Sequence, residues 1–166
     1  MRGRLLDIGC GSNTVARTHG QGSLGVDVHQ WGDVDLVVPD TARLPYENES
    51  FNTVSILAAL NHIPNRGDVL KEAFRLLRPG GRIILTMIPP TISKVWHFLR
   101  RPWDADQTER GMKEGEVWGL TPAAVRKLLT DAGFFVRNEK RFMLGINRLT
   151  VAEKPTSPQA AASVAA

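Results

Sequence analysis

Short apolar runs, each ended by a glycine or an acid, dominate the first forty residues of the chain. Leu5–Ile8 is such a run, and Leu24–Val28 and Asp35–Val38 repeat the pattern. Apolar runs of strand length that are bounded by turn residues are typical of buried parallel strands. We therefore predict three strands. The link 29–34 between the second and third strands is too short for a crossover helix, so we expect a loop there.

The middle of the chain predicts two more strands around one helix. Asn52–Leu57 alternates and then becomes apolar, which favours a central fourth strand. In Arg66–Leu77 the apolar positions recur at helical spacing, so we expect an amphipathic helix packed on the sheet. Arg78-Pro79-Gly80-Gly81 is expected to end this helix, and Arg82–Ile88 to form the fifth strand.

The last third predicts a helix followed by a pair of antiparallel strands. Thr121–Ala132 begins with a Thr-Pro pair suited to a helix N-terminus and is followed by a glycine. Phe134–Phe142 and Arg148–Glu153 alternate around a turn at Gly145, as paired strands do.

Composition sets limits on this organisation. The chain has 166 residues, of which 42% are hydrophobic and 23% charged, as expected for one globular domain. We assign residues 1–154 to that domain and the Pro-, Ser- and Ala-rich residues 155–166 to a disordered tail. The basic residues behind the net charge of +4 are scattered. No apolar run approaches the ~18–20 residues of a membrane span.

The single cysteine, Cys10, excludes a disulfide framework and fits a reducing, cytoplasmic location. Within the glycine turn, Cys10 is better interpreted as a small buried filler than as a nucleophile. We identify no metal-ligand pattern in the chain.

The strand ends predict where a ligand binds. Gly9 and Gly11 follow the first strand and predict a tight turn that a ligand can approach closely. Asp27 ends the second strand, where an acid can accept hydrogen bonds from ribose hydroxyls; the alternative is a turn or capping residue. Because ligands of open α/β sheets lie beyond the carboxyl ends of the strands, a nucleotide-like ligand is expected across this turn.

An ordered set of motifs resembles a known family. The set comprises Asp7-x-Gly9-x-Gly11, Asp27, Asp40-x-x-x-Leu44-Pro45, Phe51-Asn52-Thr53-Val54, Asn61-His62-Ile63-Pro64 and Leu77-Arg78-Pro79-Gly80-Gly81. In this order they resemble the class I S-adenosylmethionine-dependent methyltransferases of the small-molecule, methyltransferase domain 11 type. The resemblance covers about residues 4–154.

The resemblance implies a fold and a cofactor. The fold is an α/β, Rossmann-like, doubly wound sheet of seven mostly parallel strands that closes with a C-terminal antiparallel hairpin. The cofactor is S-adenosylmethionine. The resemblance implies that Asp7 orients the turn or meets the cofactor's amino-acid end and that Asp27 binds the ribose. Asp40 would accept from the adenine amino group. The remaining cofactor-binding positions are Gly9, Gly11, Val28, Thr41 and Ala58.

The chain departs from the family pattern in two places. Asn13 stands where a third glycine is common, and the helices usually found ahead of the first strand are absent. Because those helices normally cover the cofactor, we expect a partner subunit, a second copy of the chain or the long insert to replace them. A scaffold or inactive relative is the alternative.

Two other classes fit less well. A nicotinamide dehydrogenase needs a third glycine where the chain has Thr14. A nucleic-acid methylase is expected to carry an Asn/Asp-Pro-Pro-aromatic stretch after the fourth strand, where this chain has Ala58–Asn61. No basic patch interleaved with aromatic residues is evident, so nucleic acid, including RNA, is an unlikely partner.

The insert at residues 89–119 is the expected substrate lid. It mixes aromatic residues, among them Trp96, Trp103 and Trp118, with charges of both signs, and a segment of this length between core elements is often functional. The alternative is a helix whose aromatic residues pack on the sheet edge. As a lid, the insert suits a small polar acceptor such as a sugar or another metabolite.

His62 is the candidate general base. It follows the fourth strand, where the resemblance places the methyl group, and an imidazole can take a proton from a hydroxyl or amine acceptor near neutral pH. The alternative, with equal weight, is that His62 caps the next helix or orients the loop.

Overall fold

The computed structural model describes residues 3–91 and 114–156, which form a seven-stranded sheet. The strand order is β3-β2-β1-β4-β5-β7-β6. The strands are β1 (Leu5–Ile8), β2 (Leu24–Asp27), β3 (Leu36–Val37), β4 (Phe51–Leu57), β5 (Leu77–Met87), β6 (Phe135–Phe142) and β7 (Asn147–Glu153). Three α-helices lie wholly within the described residues: α1 (Thr14–His19), α2 (Arg66–Leu76) and α3 (Pro122–Asp131).

Strand pairing confirms the predicted fold class. The pairs β3–β2, β2–β1, β1–β4 and β4–β5 are parallel, whereas β7 runs antiparallel to both β5 and β6. In register, Asp7 lies between Gly25 on one side and Ser55 on the other. The carboxyl ends of β1, β2 and β4 therefore meet at one edge of the sheet, where the order of connection reverses.

The core follows the apolar runs of the sequence. All four residues of β1 are buried, because this strand lies in the middle of the sheet. Helix α2 contacts β5 and buries one face, which consists of Val69, Leu70, Ala73 and Leu76. Helix α3 adds Val125 and Leu129 to the same core. The amphipathic spacing thus gives each helix one buried face.

The boundary between α2 and β5 differs from the prediction. The helix ends at Leu76 and β5 begins at Leu77, which pairs with Phe51, rather than at Arg82. The register shifts between Phe51 and Thr53, as at a β-bulge. The Pro-Gly-Gly stretch therefore lies inside the strand, because a bulge can accommodate residues that a regular ladder cannot.

Three further local predictions are confirmed. β2 and β3 are joined without a helix. Thr121 caps α3, and its Oγ1 accepts a hydrogen bond of 3.2 Å from the N–H of Ala124. β6 and β7 form the expected hairpin, with Gly145 at its turn. Within residues 3–91 and 114–156, no helix has the length and apolar character to cross a membrane.

Candidate active site

A cavity of about 680 Å³ lies at the carboxyl ends of β1, β2 and β4. Its size falls within the ~300–1,000 Å³ typical of small-molecule sites. The predicted positions Gly9, Gly11, Asp27, Val28, Asp40, Thr41, Ala58 and His62 all line it. The structure therefore brings together residues that are spread over more than fifty positions of the chain.

The turn after β1 is held by the end of β2. The backbone N–H groups of Gly9 and Cys10 donate to the carbonyl of Val26, and the N–H of Gly11 donates to Asp27 Oδ2 at 2.9 Å. Asp27 Oδ1 accepts a hydrogen bond from the N–H of His29 at 3.1 Å. Each carboxylate oxygen has a further lone pair, so the 7%-exposed Asp27 can still accept from a ligand in the cavity.

Asp7 and Cys10 lie beside the cavity and are not among its lining residues. Asp7 is buried and accepts a hydrogen bond from Ser55 Oγ. Burial raises the pKa of Asp7 to about 6, a rise that the Ser55 hydrogen bond opposes and the charge of Asp27 reinforces. Burial, together with the charges of Asp27 and Asp7, raises the pKa of the Cys10 thiol to about 12. That shift suppresses the thiolate, consistent with a filler rather than a nucleophile.

Asn13 replaces the third glycine through a polar network. It adopts the left-handed conformation (φ 59°), which Asn tolerates better than most residues. Its Nδ2 donates to Asp35 Oδ2 at 2.7 Å and to the carbonyl of Asp33 at 2.8 Å. Asp35 also accepts from the N–H of Gly25 and from Arg17. A Cβ at position 25 would overlap the Asn13 side chain, so Gly25 makes room for this contact.

The same network keeps Asp35 ionised. Burial disfavours its charged form, but the hydrogen bonds from Gly25 and Asn13 and the positive charge of Arg17 outweigh that effect and lower the pKa of Asp35. The turn after β1 is thus connected through Asn13 and Asp35 to β2 and to the segment that leads into β3.

Asp40 and Thr41 form the far wall on the β3 side. Asp40 Oδ1 accepts from the N–H of Ala42 at 2.8 Å, and both of its carboxylate oxygens lie 3.1 Å from Asn65 Nδ2. Asn65 also lines the cavity and was not predicted as a site residue. Its contact with Asp40 joins the segment after β3 to the start of α2.

Ala58 follows β4 in an unusual backbone conformation. Its φ of 53° lies in the left-handed region, which costs an L-residue roughly 1–2 kcal/mol. The N–H of Ala58 donates to Thr86 Oγ1 at 2.9 Å. Such outliers cluster at ligand sites, and this one lies on the cavity wall.

His62 lies beside an acid from the end of the insert. Its Nδ1 is 3.5 Å from Glu116 Oε2, and the two side chains are 36% and 4% exposed. His62 belongs to a 3-10 helix, Leu60–His62, that follows β4. Both residues line the cavity. The sequence does not single out Glu116 from the other charged residues of the insert, because nothing in the local sequence indicates its proximity to His62.

Two residues with aromatic rings in the β2–β3 loop were not predicted as site residues. His29 and Trp31 line the cavity and pack edge to face, with ring centroids 5.7 Å apart. Trp31 is 45% exposed. Among the described residues, His29 Nε2 is buried and has no hydrogen-bond partner, so it could bind a polar group of a ligand.

The predicted tryptophan lid is described only in part. Trp118 is half-buried and is not among the residues that line the cavity. Trp96 and Trp103 lie outside the described residues. The cavity wall holds three carboxylates, from Asp27, Asp40 and Glu116, and no Lys or Arg is among its described lining residues. This wall favours a cationic or neutral ligand over an anionic one.

Comparison with protein families indicates which kind of ligand this cavity fits. A family model described as a methyltransferase domain matches residues 6–85, from β1 to β5. The chain resembles this methyltransferase family over that span. The matched span contains every predicted cofactor-binding position of the methyltransferase domain.

The names of curated relatives indicate that these proteins act on different acceptors. The chain is 36% identical to a 27-O-demethylrifamycin SV methyltransferase of Amycolatopsis mediterranei, over 49% of this chain and 37% of the relative. It is 29% identical to a ubiquinone/menaquinone biosynthesis C-methyltransferase of Desulfotalea psychrophila, over 68% of this chain and 51% of the relative. The matched part of the chain spans about half or less of the length of these relatives.

Solved structures share the fold over most of the chain. One is a chain from a complex between the Haloferax volcanii Trm112 methyltransferase activator and a proposed methyltransferase, with a TM-score of 0.71 and 18% identity. The match covers 92% of this chain and 83% of that one. An S-adenosylmethionine-dependent methyltransferase of Methanosarcina mazei matches with a TM-score of 0.63 and 20% identity, over 95% of both chains.

Family and fold imply S-adenosylmethionine as the cofactor, and the residues present fit it. The open space at Gly11, where a Cβ would meet nothing within 4 Å, leaves room for a ligand against the turn. The buried carboxylate of Asp27 keeps lone pairs that hydroxyls could use, and His29 Nε2, which has no hydrogen-bond partner in the part of the chain that the structure describes, is a further polar atom on a residue that lines the cavity. The acidic wall suits a cofactor that carries a positively charged sulfonium.

Proposed function

We propose that the chain transfers a methyl group from S-adenosylmethionine to a small polar acceptor, such as a sugar or another small metabolite. The observation that carries this proposal is that one cavity is lined by both Asp27 and His62. In this arrangement, Asp27, Asp40 and the glycine turn would hold the nucleoside, with Val28, Thr41 and Ala58 beside it.

The chemistry requires little beyond alignment. The bound cofactor supplies an activated methyl group on sulfur. The residues of the chain position the acceptor for in-line attack and exclude water, and such proximity can contribute ~7–11 kcal/mol to lowering the barrier. His62 would take the proton that a hydroxyl or amine acceptor loses.

Calorimetric titration of the chain with S-adenosylmethionine, S-adenosylhomocysteine and NAD tests the proposal. We expect the first two to bind with one site per chain and NAD to bind weakly or not at all. Tight binding of NAD alone would refute the methyltransferase function.

A second candidate is a scaffold that needs a partner subunit to bind cofactor. It is favoured by the structural match to a complex that contains a methyltransferase activator. Under this alternative, the isolated chain would bind none of the three ligands, although it would fold with the circular dichroism spectrum of an α/β protein.

A further inference from the structure

The side chains of His62 and Glu116 come from separate parts of the chain and meet on one wall of the cavity. His62 follows β4, whereas Glu116 lies in the segment 114–119 that precedes α3. The Glu116 carboxylate is 4% exposed and lies 3.5 Å from the imidazole Nδ1. Acids are seldom buried to this extent unless they have a partner. The pair therefore calls for a structural or functional reason.

Arg66 fixes the backbone on both sides of this pair. Its Nε and Nη2 donate to the carbonyls of Leu60 and Asn61, beside His62. Its Nη2 also donates to the carbonyl of Gly115, beside Glu116, at 2.7 Å. Burial lowers the pKa of Arg66 from its ordinary value, and the negative charge of Glu116 opposes that shift. One guanidinium thus ties together the two segments that carry the pair.

Two further contacts hold segment 114–119 in place. The N–H of Val117 donates to the carbonyl of Asn61 at 3.0 Å. Gly115 has a φ of 84°, and a Cβ there would lie 2.7 Å from Pro64 Cβ, so a larger residue would push the segment away from the His62 loop. The position of Glu116 is therefore set by backbone contacts with the loop that carries His62, rather than by its own side chain alone.

We propose that Glu116 is a positioning residue that holds His62 with Nδ1–H toward the carboxylate and Nε2 toward the cavity, so that the chain methylates a neutral hydroxyl group. This inference rests on the proposed methyl transfer and names its acceptor class. A carboxylate on one ring nitrogen selects the tautomer in which the other nitrogen can act as a base.

Methyl transfer to a hydroxyl group needs such a base more than transfer to an amine or a carboxylate does. A neutral amine can attack through its own lone pair and lose its proton afterwards, and a carboxylate has no proton to lose, whereas a hydroxyl is a poor nucleophile until its proton is removed. An anionic acceptor would also face the carboxylates of Asp27, Asp40 and Glu116 on the cavity wall.

The proposed step is balanced. His62 Nε2 takes the proton of the acceptor hydroxyl, and the acceptor oxygen forms its bond to the methyl carbon. The carbon–sulfur bond of a bound cofactor would break at the same time and leave its electron pair on sulfur, so a sulfonium, a hydroxyl and a neutral imidazole would become a thioether, a methyl ether and an imidazolium. Glu116 stabilises the positive charge that develops on His62.

Nitrogen NMR of the imidazole tests the positioning role without cofactor or acceptor. The chain has four histidines, and His62→Gln assigns the signal of interest in a long-range proton–nitrogen correlation spectrum. At about pH 8.5, where an imidazole is neutral, we expect the Nδ1–H tautomer in wild type and a shift toward Nε2–H in Glu116→Gln. The exposed Glu114 provides a matched control, because Glu114→Gln removes the same charge from the same segment and should leave the tautomer unchanged.

Transfer assays test the acceptor class. Catechol and methyl glucoside offer hydroxyls, benzylamine an amine and benzoate a carboxylate. We expect transfer from methyl-labelled S-adenosylmethionine to a hydroxyl probe. We also expect Glu116→Gln to lower kcat at least about tenfold with KM little changed, in the direction of the ~10⁴-fold loss seen when the orienting carboxylate of a catalytic triad is removed.

The outcomes separate this inference from the proposed function. An Nε2–H tautomer in wild type, an unchanged tautomer in Glu116→Gln, or transfer to benzoate and to no hydroxyl would overturn the inference even when S-adenosylmethionine binds. Conversely, a chain with the expected tautomer that binds no S-adenosylmethionine would refute the proposed function.

Discussion

The two sides of the cavity are built by different means. On the side that we propose holds the nucleoside, Gly9, Gly11 and Asp27 follow directly from β1 and β2, and hydrogen bonds between the ends of these neighbouring strands set their positions. On the side that we propose faces the acceptor, His62 and Glu116 come from a 3-10 helix and a loop, and Arg66 holds the two segments together. The sheet therefore sets the geometry of the nucleoside side, whereas a few long-range contacts set the geometry of the acceptor side.

This difference bears on how the family can vary. Strand ends are rigid and leave little freedom for the residues that hold a shared cofactor. Loops tolerate substitution and carry specificity. Among the relatives, a 27-O-demethylrifamycin SV methyltransferase and a ubiquinone/menaquinone biosynthesis C-methyltransferase carry names that point to different acceptors.

Loss of the base on the acceptor side should produce the largest effect. If His62 removes a proton, His62→Ala should lower kcat by roughly 10²–10⁴-fold, the usual contribution of a general base. The affinity for S-adenosylmethionine should barely change, because His62 would act on the acceptor alone. Steady-state kinetics combined with calorimetry on the same preparation checks both parts, and an unchanged kcat would remove His62 from catalysis.

Loss of the ribose acceptor should produce the opposite pattern. Asp27→Ala removes a carboxylate that accepts from the N–H groups of Gly11 and His29 and that we expect to bind the ribose. Charged hydrogen bonds contribute ~1.5–3 kcal/mol each, so the affinity for S-adenosylmethionine should fall by about 3 kcal/mol. Calorimetry measures this directly. Equal binding by the variant and wild type would place the nucleoside elsewhere.

The buried carboxyl group of Asp7 in β1 should make the free energy of unfolding depend on pH. The pKa of Asp7 is raised to about 6 in the folded chain, above the ~3.9 of an unfolded aspartate. The folded state therefore binds the proton more tightly. The stability that Asp7 contributes should be fully present below about pH 3.9 and should be lost as the pH rises through about 6; between pH 4 and pH 6 the loss should be on the order of 2 kcal/mol.

Asp7→Asn should remove this dependence while preserving an acceptor for Ser55 Oγ. Urea unfolding from pH 4 to pH 7 compares the two proteins, with the exposed Glu47→Gln as a control for charge. Parallel stability profiles for wild type and Asp7→Asn would show that Asp7 does not carry the effect.

The smallest expected effect concerns the junction between the two sides. Ala58 has a positive φ and lies after β4, between the nucleoside and acceptor walls. Because glycine adopts this conformation without strain, Ala58→Gly should stabilise the fold by up to about 1 kcal/mol. Urea unfolding measures the change, and a clear loss of stability would mean that the Ala58 methyl group packs usefully.

Strand ends explain why the nucleoside side could be predicted from the sequence. Once the parallel order of β1, β2 and β4 is expected, residues such as Gly9 and Asp27 must meet, because their positions follow from where each strand stops. Asn13 could be identified as a departure from the pattern, but its function could not, because the compensating contacts come from Asp35 and Gly25.

The acceptor side could be predicted only in part. His62 was identified from its place after β4, but Glu116 reaches it through tertiary contacts that leave no local pattern. His29 and Trp31 were overlooked because the β2–β3 link has no periodicity. The bulge that admits Pro79 and Gly80 into β5 also depends on pairing with β4, which propensity alone does not reveal.

A crystal structure of the chain with S-adenosylhomocysteine would test the division of the cavity most directly. We predict that the ribose hydroxyls lie within hydrogen-bond distance of Asp27, about 2.5–3.2 Å, and that the sulfur faces His62. A nucleoside bound against the His62–Glu116 pair, with its ribose away from Asp27, would contradict this account.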